Sequence, residues 1–119
     1  MIGFIKRFFR SVKYALRGIA IVWREEQNFR IEVLFSFVVI ILSIFFKITR
    51  YEATIILFMI GLVLLLEVMN AVVERLVDLN KPRLHHYAQA IKELMAGVVL
   101  LSALLSAIVG IIIFLPYIF

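Results

Sequence analysis

The sequence predicts an all-α membrane protein with an N-terminal amphipathic surface helix and three transmembrane helices. Three observations lead there. Of 119 residues, 65% are apolar, and mean hydropathy is +1.10, well above the roughly half-apolar composition of soluble domains. Three long apolar runs carry that excess. The Lys and Arg residues, finally, are distributed unevenly between the segments that join them.

Residues 4 to 24 project as a two-faced helix. Lys6, Arg10, Lys13, Arg17 and Arg24 fall in one sector, while Phe4, Phe8, Val12, Leu16, Ile19 and Trp23 fall opposite. Such a helix is expected to lie on the membrane surface, its basic face toward anionic head groups; anchoring alone accounts for Lys6, Arg10 and Lys13. The surface helix is expected over residues 1–29. If it continues through EEQNFR, Glu26 projects onto the apolar face, where a carboxylate needs a cation or donor, whereas Glu25 points elsewhere and is expected to be solvated. The stretch has no compact apolar core or small-residue cleavage site, so no cleavable signal is expected.

The runs Ile31 to Phe46, Ala53 to Leu66 and Leu94 to Phe119 read as spans over about 31–48, 52–78 and 92–118, because a hydrocarbon core about 30 Å thick takes about 20 helical residues. Seven basic residues (Lys6, Arg7, Arg10, Lys13, Arg17, Arg24, Arg30) precede the first span. Four (Arg75, Lys81, Arg83, Lys92) lie between the second and third, and only Lys47 and Arg50 occupy the other turn. The positive-inside rule then puts the N-terminus and the second loop in the cytoplasm and the C-terminus outside. With no repeat or linker, residues 1–119 form a single domain.

The second run ends in EVMNAVVERLVD. Glu67, Asn70, Glu74 and Asp78 there are spaced i, i+3, i+7 and i+11, which at about 100° per residue confines them to an arc of about 80°. Intramembrane carboxylates cost upward of about 2.5 kcal/mol on insertion scales and read as functional. Asp78 fits a solvated helix end equally well. Glu67, at head-group level, could accept a proton from a lipid hydroxyl, and Glu26 and Glu74 could offer hard oxygen ligands to magnesium. Arg7, Arg17, Arg30, Arg75 and Lys92 supply cations suited to a polyphosphate, although head-group binding explains any one of them.

Several classes are excluded. The chain contains no GxxxxGK[ST] loop and no HExxH spacing, and it has no cysteine for disulfides or thiolate metal sites. His85 and His86 read as ordinary loop residues. Nothing suggests a nucleic-acid partner. Ser102, Ser106 and Gly110 form a small-residue strip on the third span, suited to close helix approach within one chain or between chains. Three short spans leave little interior for Glu67, Asn70 and Glu74, which favours an oligomer.

These residues resemble the small prokaryotic integral-membrane lipid kinases, the diacylglycerol kinase and undecaprenol kinase family. The signature ExxNxxxExxxD is present as Glu67, Asn70, Glu74 and Asp78, joined by Tyr14, Arg17, Gly18, Trp23, the EQNFR segment, Glu32, His85 and Lys92. The resemblance implies an ATP-dependent lipid kinase: transfer of the γ-phosphoryl group of MgATP to a lipid hydroxyl by a homotrimer with active sites shared between subunits, in the bacterial cytoplasmic (inner) membrane. It implies Glu67 as catalytic base and Glu26 and Glu74 as metal ligands. Arg7, Tyr14, Arg17, Glu26, Asn70, Glu74, Lys92 and Glu93 would line the nucleotide site, and Glu32 and Asn70 the lipid side. Where the family usually has Lys-Asp, this chain has Lys92-Glu93, whose extra methylene shifts the carboxylate by about one C–C bond. EQNFR and AGVVLL look more like the undecaprenol branch. Two alternatives stand beside this one: a small proton-coupled multidrug transporter, which would want its carboxylate near the bilayer midplane, and an inactive kinase homologue, favoured only by Glu93.

Overall fold

The computed structural model describes residues 1–80, 82–83 and 85–119. They form four helices: α1 (Ile2–Glu25), α2 (Gln27–Phe45), α3 (Arg50–Leu79) and α4 (Ala88–Ile118). The last three are long and apolar enough to cross a membrane. At about 1.5 Å per residue α3 extends about 45 Å. A span beginning at Arg50 therefore leaves the hydrocarbon near residue 70, and the turn carrying Glu74 and Asp78 lies beyond it. Lys81, counted above among the basic residues of the second loop, lies outside the described residues.

The surface helix does not run through residue 29 as expected. It stops at Glu25, Glu26 is extended (φ −109°, ψ 103°), and α2 begins at Gln27. No Gly or Pro causes the break; packing does. In a continuous helix Val22, Glu26 and Phe29 would share a face about 60° wide, and Val22 and Phe29 are both buried against Ala71 of α3. A single extended residue keeps both apolar side chains on Ala71 and turns the carboxylate aside. Two arginines then fix the elbow. Arg30 donates to the carbonyls of Trp23 and Arg24 at 2.8 and 2.9 Å, satisfying acceptors that a helix end leaves open. Arg75 of α3 donates to Glu26 at 3.1 Å and also to Glu25. Glu25 is thus exposed but ion-paired, rather than simply solvated.

The particle measures 54 × 48 × 22 Å. Three helices packed about 8–10 Å apart cannot span the second dimension, so α1 projects to the side of the bundle. Only Val22 of α1 is buried.

At the opposite end, Lys47 N–H donates to Ile44 and Ile48 N–H to Ser43, the paired bonds of a Schellman ending, with Lys47 in the left-handed region at φ 51°. Thr49 and Glu52 then form a capping box that starts α3. Tyr117 of α4 donates its hydroxyl to Glu52, and Phe46, Phe114 and Tyr117 gather beside it. This clamp ties α4 to the α2–α3 turn. Pro116 lies in the last turn of α4 and does not end it.

Side chains such as Phe35, Phe37, Ile44, Leu101 and Ile112 are more than half exposed, as suits helices whose solvent is hydrocarbon. Between α2, α3 and α4 runs an apolar groove of about 470 Å³, lined among others by Glu32, Val39, Ile60, Ser106, Gly110 and Phe114. Of the small-residue strip, Ser102 is buried within the chain, and Ser106 and Gly110 border this groove.

Candidate functional site

The site is the junction where the α1–α2 elbow meets the end of the apolar part of α3. Glu67 is 1% exposed, the most deeply buried large side chain among the described residues. One of its carboxylate oxygens has no hydrogen-bond partner. Glu32, one and a half turns into α2, faces the same carboxyl, and one of its own oxygens is likewise buried and unpartnered. Glu26 and Glu74 lie close enough to Glu67 to act on its charge. Acidic residues from the elbow, α2 and α3 thus come near one another.

Asn70 donates from Nδ2 to Glu74 at 3.4 Å, which fixes the amide orientation and leaves its Oδ1 buried without a donor. Four buried side-chain atoms among the described residues have no partner, and three of them belong to Glu32, Glu67 and Asn70. Buried polar atoms are normally satisfied, because an unmade hydrogen bond costs about 1–3 kcal/mol. Such a concentration could receive a polar group that the chain does not itself provide. The fourth atom is Ser106 Oγ, in the groove that begins at Glu32.

Among the described residues no three Asp, Glu, His or Cys side chains gather as a complete metal cage. Magnesium, however, commonly takes one or two carboxylates with substrate phosphates and water. Glu26 and Glu74, both beside Glu67, fit that mode, so these two residues could hold a divalent cation in company with a nucleotide.

The other candidates are more dispersed. Lys92, in the second turn of α4, donates to Asp78 at 2.7 Å. Glu93 accepts from Gln89 at 3.0 Å along its own helix. On α1 the Arg17 guanidinium lies 5.8 Å from the Tyr14 ring centroid, and Arg7 bonds back to the Gly3 carbonyl. Arg30 and Arg75, grouped above with the phosphate-binding cations, are engaged by the elbow itself. Sequence reading missed both of these structural roles. The one available signal was the pair of adjacent carboxylates, Glu25 and Glu26, which needed a cation from elsewhere.

The family profile described as prokaryotic diacylglycerol kinase matches residues 13–114. The chain is 37% identical over 112 residues to the undecaprenol kinase of Bacillus subtilis (strain 168), covering 94% of this chain and 91% of that protein. It is 31% identical over 107 residues to the diacylglycerol kinase of Synechocystis sp. (strain ATCC 27184 / PCC 6803 / Kazusa), covering 89% of this chain and 61% of the relative. No solved structure matches.

Proposed function

Because the chain belongs to the prokaryotic diacylglycerol kinase family, we propose that it transfers the γ-phosphoryl group of MgATP to the hydroxyl of a membrane lipid, with undecaprenol favoured over diacylglycerol. The observation that carries this reading is the buried, partly unpartnered Glu67 carboxylate beyond the middle of a helix long and apolar enough to cross a membrane. A lipid alcohol can reach that position without leaving the bilayer.

In this reading Glu67 accepts the hydroxyl proton as general base. Glu32 and the free oxygen of Asn70 orient the lipid head, and the groove beyond Glu32 receives the start of its tail. Glu26 and Glu74 would hold magnesium, which would supply neutralisation of charge on the phosphates. Arg7, Tyr14, Arg17, Asn70, Lys92 and Glu93 border the nucleotide. The reaction asks the protein mainly for alignment and charge compensation rather than covalent chemistry, and the elbow supplies alignment. The chain works as a homotrimer with sites shared between neighbours, α1 lies on the cytoplasmic face of the bacterial inner membrane, and the C-terminus is outside.

The preference for undecaprenol is supported by the similarity to the Bacillus subtilis undecaprenol kinase, which extends over nearly the full length of both chains. The test is a side-by-side assay of the purified protein in lipid with MgATP and either alcohol. Phosphorylation of undecaprenol at the higher kcat/KM supports the reading. ATP binding without turnover on either lipid overturns it in favour of an inactive homologue.

A further inference from the structure

The Arg75 fork joins two carboxylates that occupy different surroundings. Nη1 reaches Glu26, whose side chain is 19% exposed, and Nη2 reaches Glu25, whose side chain is 59% exposed. Nη1 is anchored on its own helix as well, donating to the Ala71 carbonyl at 2.9 Å. The guanidinium therefore sits on one of the two carboxylates assigned to the metal, yet has a second acidic partner immediately beside it.

We propose that Arg75 is a stand-in cation: it neutralises Glu26 in the nucleotide-free protein, and yields Glu26 to the divalent metal while remaining attached to the elbow through Glu25. This rests on the assignment of Glu26 as a metal ligand. A carboxylate close enough to act on the buried Glu67 would otherwise meet like charge there. Arg75 removes that repulsion before the metal arrives. Its planar fork can hold two acceptors at once, and so can lose one without releasing the other. Glu25 accordingly makes the exchange easier, and the elbow stays fixed to α3 throughout. No bond other than hydrogen bonds and metal coordination changes, and the released Nη1 keeps the Ala71 carbonyl.

The proposal separates the two ends of one ion pair. Mn²⁺ binding is measured by electron paramagnetic resonance on the full-length protein in lipid, with a non-hydrolysable ATP analogue and no lipid substrate. Arg75→Gln is expected to tighten Mn²⁺ binding severalfold, because Glu26 is no longer occupied. Glu25→Gln is expected to weaken it severalfold, because the guanidinium then has only Glu26. Arg24→Gln removes an equal charge from the end of α1 beside the elbow, without touching Glu26, and is expected to change nothing; a shift equal to that of Arg75→Gln would reduce the effect to general electrostatics and overturn the proposal. Weaker or unchanged binding in Arg75→Gln overturns it too. Should Arg75→Gln fail to fold, Arg75→Met, which keeps an unbranched stem and carries no charge, replaces it with the same sign expected. Glu26→Gln is the separate control: unchanged Mn²⁺ binding there removes the metal assignment itself, whatever Arg75 does.

Discussion

The Lys92 ammonium donates to the Asp78 carboxylate at 2.7 Å, joining the end of α3 to the second turn of α4. Both side chains are partly exposed, so the pair adds at most about 1 kcal/mol to stability. In the proposed function its value lies in holding an ammonium for the nucleotide. Asp78→Asn is expected to raise the ATP KM by up to about fivefold, with kcat for lipid phosphorylation and thermal stability hardly altered. Steady-state kinetics at saturating lipid distinguish this from a loss of fold, which would lower kcat and melting temperature together.

Glu67→Gln keeps the volume and polarity of the buried side chain and removes its capacity to accept a proton. Lipid phosphate formation should fall by about 10²–10⁴-fold, the usual contribution of a general base. Helical content and nucleotide binding should persist. A variant retaining a tenth of wild-type turnover would rule out Glu67 as the base.

Glu32 faces Glu67 from α2 and leads into the apolar groove. Glu32→Gln should act on the lipid rather than the nucleotide: loss of one polar contact, at about 1–2 kcal/mol, corresponds to a lipid KM raised about 5–30-fold. Titrating lipid at fixed ATP, then ATP at fixed lipid, measures both. Equal changes in the two constants would argue against a lipid-side role.

Arg30 holds α1 through the carbonyls of Trp23 and Arg24. Arg30→Ala should loosen this junction by about 1–2 kcal/mol, visible as faster amide hydrogen exchange in the last turn of α1 while α3 and α4 exchange as before. Uniform acceleration throughout would point to global destabilisation.

Lys47 pays the steric cost of a left-handed residue at φ 51°. Lys47→Gly removes a penalty of about 1–2 kcal/mol at a position where glycine is the usual helix terminator. The variant is expected to resist denaturation better and to retain activity. Reduced resistance would show that the lysine side chain outweighs its backbone strain.

The hydrophobic runs made three helices legible, because hydropathy and length suffice for a membrane span. Periodicity likewise grouped Glu67, Asn70 and Glu74, since residues on one helix stay together wherever the helix goes. The break at Glu26 was not legible. No glycine, proline or strong capping residue marks it, and its causes are partners distant in sequence: Ala71 beneath Val22 and Phe29, and Arg75 beside the carboxylates. The same distance hid Arg75, and the unforeseen break hid Arg30, whose acceptors Trp23 and Arg24 are near in sequence but open only where α1 ends. The clamp beside the α2–α3 turn escaped for a related reason, as nothing local to Tyr117 indicates a partner 65 positions away at Glu52.

A hinge consisting of one residue has no slack. Adding or removing an amino acid at Glu26 would rotate everything downstream by about 100° relative to α1, swinging Val22 off Ala71 and parting Glu25 from Arg75. Changes of length should therefore be tolerated among relatives in the segment between α3 and α4 and scarcely at all between α1 and α2.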